Sequence, residues 1–247
     1  MHRSLSLCLL YVIICSSAAP IVSARTVVCP DSTGVPQTYK TVADTAAPGG
    51  VAYAAQNVGN WVLDVSNLCW LGSGLGYTVD YFTAEEYEIS SEFPKHSQLY
   101  NLYLLTYWVG GILNGDTLVS SGENLDFEVF GYELVPVMDG RGAVTGRSVL
   151  DPSVPGYEDA VSELDLVSTC TDTWWSNDSY WPDYFYGWPP KPLYIEITQS
   201  IYGWSSATVE DVVLGDLAVK NVGQQTIEKL FFGLYSRPLV GHLQWLP

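Results

Sequence analysis

Apolar and polar residues alternate in short runs along most of this chain, which is the pattern of half-buried β-strands. Two such runs flank the polar segment NVGQQT, with Leu217 before it and Leu230 and Phe232 after it. Asn221 and Gly223 within the segment tolerate the positive φ that tight turns require. The pattern therefore predicts two antiparallel strands joined by this turn.

The same alternation recurs in two groups of runs separated by a proline-rich stretch. The predicted strands are Trp61–Val65, Gly76–Phe82, Tyr87–Ser91, Leu99–Trp108 and Leu125–Val135, followed by Leu193–Gln199, Val212–Lys220, Lys229–Tyr235 and His242–Leu246. Helical periodicity is scarce, and the best helical candidate is Pro155–Val167. We therefore predict an all-β protein with β-sandwich architecture.

The stretch between the two groups, residues 171–192, contains four prolines and eight aromatic residues. Prolines forbid a regular central strand, so the stretch is interpreted as a connector whose aromatic rings pack on a neighbouring domain or bind a ligand. The two groups also resemble each other, with Leu102 aligned on Leu230 and Tyr107 on Tyr235. These features predict two tandem modules, residues 25–140 and a truncated 193–247, joined by the connector 141–192.

The first 24 residues have the features of a secretory signal peptide. Arg3 supplies the positive start, Leu5–Cys15 is the apolar centre, and Val22-Ser23-Ala24 is a small-residue cleavage site. A membrane anchor is the alternative, but the apolar run is well short of the roughly 20 residues that a span needs. We expect a secreted, extracellular protein with no membrane span, whose mature chain starts near Arg25.

Charge restricts the class of partner. The chain has a formal net charge of -17, yet charged residues are only 15% and hydrophobic residues 47% of the total. This balance is typical of a folded protein rather than an acidic disordered tail. Because an acidic surface repels phosphate backbones, nucleic acid is excluded as a partner, whereas a neutral or cationic partner is compatible.

Three cysteines remain after removal of the predicted leader: Cys29, Cys69 and Cys170. In an oxidising compartment two of them should form a disulfide, and the sequence does not choose which two. The third thiol either is buried or forms a disulfide-linked complex with another chain. The triplet that starts at Asn177 is a predicted glycosylation site.

The sequence lacks the motifs of the common enzyme classes. Only His96 and His242 remain outside the leader, and they have no metal-ligand spacing. We find no nucleophile elbow, phosphate loop or paired-cysteine motif. We therefore predict no catalytic residues, no cofactor and no metal. Carboxylates are numerous enough that a glycosidase pair is not excluded by counting, although a solvated acidic surface is the favoured interpretation.

Aromatic residues are the positive functional signal, with nine Trp and 17 Tyr in the chain. Sugar rings present apolar C–H faces on which flat aromatic rings stack at low entropic cost. We chose as candidate carbohydrate contacts the aromatic residues that lie at predicted strand ends or on one predicted strand face. For each of them, ordinary packing in the core is the alternative. The candidates are Trp204, Tyr235 and Trp245 in the second module, and Trp70, Tyr107 and Trp108 in the first.

The second group of strands resembles the family-49 carbohydrate-binding modules of plant endoglucanases and amoebal cellulosic coats. The matching features are IEITQ from Ile195 to Gln199, Trp204, VKN ending at Asn221, TIEKLFF, and the closing Gly241 and Trp245. The family's C-terminal segment is similar to Leu118–Leu134 in the first group instead. The resemblance implies β-sandwich modules that bind cellulose, in two diverged copies with the second truncated.

Three hypotheses for function follow. The leading one is a non-catalytic extracellular protein that binds cellulose or a related β-glucan through exposed aromatic residues. The second is a secreted structural or adhesive cell-surface or coat protein that binds other proteins. The third is a small secreted hydrolase of unrecognised type.

Overall fold

The computed structural model describes residues 10–15, 52–72, 78–87, 89–122, 133–173 and 191–242, and the prediction of an all-β protein is confirmed there. The strands are β1 (Leu10–Cys15), β2 (Tyr53–Gln56), β3 (Val62–Ser66), β4 (Trp70–Leu71), β5 (Thr78–Val79), β6 (Glu86–Tyr87), β7 (Ser91–Glu92), β8 (Leu99–Leu113), β9 (Asp116–Ser121), β10 (Val135–Pro136), β11 (Thr145–Arg147), β12 (Leu164–Thr171), β13 (Ile195–Gly203), β14 (Val212–Asn221) and β15 (Glu228–His242).

Most strands belong to two antiparallel sheets. Sheet I has the strand order β1-β14-β13-β12-β10, and β11 also pairs with β12. Sheet II has the order β15-β8-β4-β3-β2. One edge of β8 pairs with β15, and its other edge pairs in turn with β9, β4 and β7. Strands β5 and β6 form a separate two-stranded ribbon.

One hydrophobic core lies between the two sheets. Sheet II contributes Leu63 and Tyr107 to it, and sheet I contributes Ile197 and Leu217. Buried hydrogen bonds also join the sheets, because Gln56 Nε2 of β2 donates to the carbonyl of Leu164 in β12 at 2.7 Å. The two layers are therefore a single packed unit within the described part of the chain.

The disulfide joins Cys69 and Cys170, with a Cα–Cα distance of 6.3 Å. Cys69 lies just before β4 of sheet II and Cys170 lies within β12 of sheet I, so the bond connects the two layers across the core. Cys29 lies outside the described residues. Of the pairings that the sequence left open, the structure therefore selects Cys69 with Cys170.

The two predicted tandem modules are not confirmed as separate units. β15, from the predicted second module, pairs along β8 of the first from Leu99 to Ile112. Residues 164–171, assigned to the predicted connector, form β12, which lies between β13 and the β10 and β11 pairings of sheet I. Residues 174–190, which include Asn177 and most of the aromatic connector, lie outside the described residues.

The predicted pairing of the strands around NVGQQT is wrong, although both strands exist. β14 lies in sheet I and β15 lies in sheet II, so the segment crosses from one layer to the other. Asn221 holds the crossing, because its Oδ1 accepts from the N–H of Gly223 at 2.9 Å and its Nδ2 donates to the carbonyl of Gln225 at 2.7 Å. Stacked sheets lie about 10 Å apart, a gap that the six residues after Asn221 are long enough to bridge.

The best helical candidate in the sequence, Pro155–Val167, does not form an α-helix. Only a 3₁₀ turn at Tyr157–Asp159 is helical there, and the strand β12 begins at Leu164. Leu164 and Leu166 are buried on one side of β12, which pairs with β13 over eight residues. Pairing with a neighbouring strand thus overrides the local helical pattern.

The remaining predicted strands have mixed outcomes. Trp61–Val65, Leu99–Trp108, Leu193–Gln199, Val212–Lys220 and Lys229–Tyr235 correspond to β3, β8, β13, β14 and β15. The described residues of the run Gly76–Phe82 contain the two-residue strand β5. In the described part of Tyr87–Ser91, Tyr87 ends β6 and Ser91 begins β7. Most of Leu125–Val135, and His242–Leu246 after its first residue, lie outside the described residues.

Candidate functional site

The outer face of sheet II carries four aromatic side chains, which we call the aromatic face: Trp70, Trp108, Phe231 and Tyr235. The strand register places them together. Thr106 of β8 lies opposite Trp70 on one side and opposite Tyr235 on the other. Two residues along β8, Trp108 lies opposite Gly233, and two further on Gly110 lies opposite Phe231. Alternate residues of a strand share a face, so all four side chains project from the same side of the sheet.

Two of these rings are in direct contact. The ring centroids of Trp108 and Tyr235 are 5.6 Å apart with an interplanar angle of 13°. Trp108 is 38% exposed, and Phe231, which occupies the next register row, is 66% exposed. Because rings of this size are usually buried, an aromatic pair beside an exposed phenylalanine marks a surface available to a ligand.

Glycines separate the rings. A Cβ at Gly233 would meet only Trp108, at 3.7 Å or more, and one at Gly110 would meet Val119 and Phe231 at ordinary contact distances. No close approach of the backbone requires glycine at either position. The consequence of these glycines is that the sheet surface between the rings carries no side chains. The missing side chains leave the sides of Trp108 and Phe231 open along the sheet.

A β-bulge decides which residues of β8 face outward. Arg237 lies opposite Leu104, but the next residue, Pro238, lies opposite Leu102, so Tyr103 is an extra residue on β8. A bulge of this kind shifts the alternation of side chains between the faces of a sheet. Leu102 belongs to the hydrophobic core before the bulge, and Leu105, Tyr107 and Val109 belong to it after the bulge. Leu104 and Thr106 are buried as well, although they are not part of that core cluster.

Tyr107, a predicted ligand contact, therefore lies in the core and is fully buried. Its ring lies 5.7 Å from that of Phe232 on the inner side of β15. Burial raises the pKa of the Tyr107 hydroxyl well above its ordinary range. The structure thus places Tyr107 on the opposite face of sheet II from Trp108 and Tyr235.

Trp204 lies apart from the aromatic face. It follows the end of β13 in sheet I, where its half-buried ring lies 6.2 Å from that of Tyr202. Trp245 lies outside the described residues. Of the six predicted contacts, the structure brings together Trp70, Trp108 and Tyr235.

Phe231 is the residue of the aromatic face that the sequence prediction did not choose. Alternation along β15 placed it on the same face as Gly233 and Tyr235, and this was the available signal. Sequence alone did not show that β15 would pair with β8, which is what brings Phe231 beside Trp108. A cationic contact extends the surface further, since the guanidinium of Arg237 lies 4.8 Å from the ring centre of Tyr103.

Buried carboxylates near the core have structural partners. Asp172 accepts from the N–H of Leu193 at 2.6 Å, the N–H of Ile195 at 2.8 Å and the hydroxyl of Ser120 at 2.7 Å. These bonds join β9 of sheet II to the start of β13 in sheet I. Burial raises the pKa of Asp172, and its three hydrogen bonds offset part of that rise.

Asp64 is the most strongly perturbed carboxyl among the described residues. Burial raises its pKa from an ordinary 3.8 to about 7, against the opposing effect of hydrogen bonds from Thr78 and the backbone. The Thr78 hydroxyl donates to Asp64 Oδ1 at 2.8 Å. Asp64 lies on β3, the strand next to the β4 strand that carries Trp70, and its partner Thr78 belongs to the separate β5–β6 ribbon.

In the described ranges there is no group of three or more His, Cys, Asp or Glu residues placed to hold a metal ion. The same ranges contain no helix that is long and apolar enough to cross a membrane. The chemistry that the aromatic face itself offers is ring stacking.

Comparison of the chain with protein-family models, with curated proteins and with solved structures finds no match. The resemblance to family-49 modules therefore stays a hypothesis from the sequence.

Proposed function

We propose that this is a non-catalytic extracellular protein that binds cellulose or a related β-glucan through the aromatic face. The observation that carries the proposal is the grouping of Trp70, Trp108, Phe231 and Tyr235 on one outer sheet surface, with Phe231 and Trp108 exposed. The pairing of β8 with β15 builds this surface from the two runs whose sequences resemble each other.

The geometry suits a repeating sugar polymer. Side chains two residues apart on a strand lie about 6.6–6.8 Å apart, and neighbouring strands lie about 4.7–4.9 Å apart. Trp108 and Phe231 differ by two residues along the strand and by one strand across it, so they offer two separated stacking positions. A polymer crossing the sheet obliquely can place the apolar faces of successive sugars on both rings.

The charge of the protein favours a neutral polymer over a polyanion. The chain carries 27 acidic and 10 basic residues. Stacking on an uncharged glucan releases no counterions, so its affinity should change little with salt, unlike the affinity of a phosphate-binding protein.

Secretion is part of the proposal. It rests on the leader-like residues 1–24, and the disulfide between Cys69 and Cys170 is the kind of bond that persists in oxidising compartments. Glycosylation at Asn177 belongs to the same proposal.

A sedimentation assay tests the function. The secreted protein is mixed with insoluble cellulose, with chitin and starch as controls, at low and moderate salt. We expect retention on cellulose at both salt concentrations and no release of reducing sugar. Loss of retention at moderate salt would show a charged partner, and release of reducing sugar would show a hydrolase.

A structural or adhesive role is the second candidate, because one feature favours it. β15 is the outermost strand of sheet II, and three of its leucines are exposed: Leu230 at 44%, Leu234 at 44% and Leu239 at 37%. An exposed apolar edge strand is a template for pairing with another chain. Absence of glucan retention, together with concentration-dependent self-association or capture of a coat protein, would favour this role.

A further inference from the structure

The edge of β14 accepts an additional strand. β1, the outermost strand of sheet I, pairs antiparallel with β14 over six residues, with Leu10 opposite Leu217 and Cys15 opposite Val212. The inward residues of β14 at this edge, Val213 and Leu217, are buried. The edge of sheet I therefore adjoins the hydrophobic core over the whole length of this pairing.

The strand that fills this edge belongs to the predicted leader. Leu10–Cys15 is the second half of its apolar centre, and cleavage after Ala24 would remove it. The secreted protein would then have an open strand edge along Val212–Leu217, with unpaired backbone groups beside buried apolar residues. Such an edge pairs readily with another extended segment.

The register sets apolar residue types of Leu10–Cys15 opposite Val213 and Leu217, but no cationic residue opposite Asp216. Tyr11 occupies the register position opposite Asp216. With β1 in place, Asp216 Oδ1 is buried and, within the described part of the chain, has no hydrogen-bond partner. An Arg or Lys at the opposing position would supply a charge-assisted hydrogen bond to this oxygen.

We propose that the β14 edge of the secreted protein binds an extended strand of another protein, apolar opposite Val213 and Leu217 and cationic opposite Asp216. Charge complementarity favours such a partner over a second copy, because this chain has net charge -17 and its stretch Val212–Leu217 contains no cation. Residues 25–51 contain three prolines and no unbroken apolar run like Leu10–Cys15. The proposal rests on the proposed cleavage and is independent of glucan binding.

Peptide binding to the secreted protein tests this. N-terminal sequencing first establishes that residues 10–15 have been removed. Three fluorescent peptides with the sequence of Leu10–Cys15 and the change Cys15→Ser are then prepared. They have Tyr, Arg or Glu at position 11, and their binding to the protein is measured by fluorescence anisotropy. We expect the Tyr11→Arg peptide to bind saturably and about tenfold or more tightly than the Tyr11 peptide, the gain typical of one charge-assisted bond. The Tyr11→Glu peptide should bind more weakly than either.

Two controls test whether the peptide binds as an added strand and whether Asp216 causes the preference for a cation. A peptide that also carries Val12→Pro and Ile13→Pro loses two adjacent backbone donors, one of which must face β14 because donors alternate along a strand, and it should not bind. In the Asp216→Asn protein, which keeps the side-chain shape, the preference for Arg over Tyr should disappear. The Arg–Tyr–Glu series also tests the charge requirement with the unaltered protein.

Several results would overturn the proposal. One is a secreted chain that retains Leu10–Cys15. Another is failure of all the peptides to bind, which would show that residues 25–51 or a second copy fills the edge, and size-exclusion chromatography would separate these two. Equal binding of the Arg and Glu peptides would remove the role assigned to Asp216.

Discussion

The indole ring of Trp108 and the phenol ring of Tyr235 lie nearly parallel across two neighbouring strands, with centroids 5.6 Å apart. Their strands, β8 and β15, are far apart in sequence and meet only through the pairing within sheet II. One residue before Trp108, Tyr107 faces the core instead. Of two adjacent residues of β8, one therefore lies on the outer surface and the other in the core.

Tyr107→Ala should destabilise the protein by about 3–5 kcal/mol, the range for deleting a large buried ring and leaving a cavity. The measurement is the free energy of unfolding from urea denaturation, and the matched comparison is Trp108→Ala on the outer face. Trp108→Ala should cost less than Tyr107→Ala, because Trp108 is 38% exposed and leaves no closed cavity, although the variant also loses an aromatic pair worth about 0.5–1.5 kcal/mol beyond its buried area. Equal losses in the two variants would contradict the assignment of the two faces.

Asn221→Ala should lower the free energy of unfolding by about 0.5–2 kcal/mol, because the side chain makes two hydrogen bonds to the backbone of the crossing segment. Thermal and urea unfolding measure the change. Glucan retention should be unaffected, since Asn221 lies outside the aromatic face. A variant of normal stability that no longer binds cellulose would place Asn221 in the binding site instead.

Removal of the disulfide should destabilise the protein strongly. Cys69 and Cys170 are 101 residues apart, and closure of such a long loop constrains the unfolded chain. We expect the Cys69→Ser, Cys170→Ser double variant to lose about 2–5 kcal/mol of unfolding free energy. The reduced wild-type protein serves as the comparison, and it should unfold at about the same urea concentration as the variant. An unchanged midpoint would show that the bond does not form.

Asp64 should make stability depend on pH. Burial raises its folded pKa from 3.8 to about 7, so between these values the folded protein holds a proton that the unfolded chain has lost. The contribution of Asp64 to stability is therefore present in full below pH 3.8 and is lost as the pH rises through about 7. By linkage this loss is on the order of 4 kcal/mol.

The measurement for Asp64 is the unfolding free energy of the wild-type protein and of Asp64→Asn between pH 4 and 8. Asn keeps an acceptor for the Thr78 hydroxyl but does not titrate. The wild type should lose stability relative to the variant as the pH rises to about 7, and the difference should then level off. A constant difference across this range would show that Asp64 titrates normally.

Some of this structure could be predicted from the sequence because short-range alternation reports strands directly. β3, β8, β13, β14 and β15 were predicted in this way. Pairing could not be predicted, because alternation does not state which strand lies alongside which. The segment after Asn221 has the composition of a hairpin turn, yet it crosses between the sheets.

The candidate site shows the same limit. Alternation correctly placed Tyr235 with Phe231, but extending it along β8 assigned Tyr107 to the ligand face. The bulge at Tyr103 shifts the faces by one residue, and no local signal in LYNLYLLTYW marks it. Phe231 was missed because β8, the strand that carries Trp108, lies far away in sequence.

The most direct test of glucan binding by the aromatic face is retention on cellulose by the variants Trp108→Ala and Phe231→Ala, beside Leu150→Ala. Leu150 is also exposed, but it lies in the loop after β11 and outside the aromatic face. We predict that each aromatic variant keeps its fold and loses affinity about tenfold or more, taking as a guide the roughly 1–3 kcal/mol that an aromatic side chain contributes when a nucleic-acid base stacks on it. Leu150→Ala should bind as the wild type does. Wild-type retention by both aromatic variants would show that the ligand, if bound, lies elsewhere on the protein.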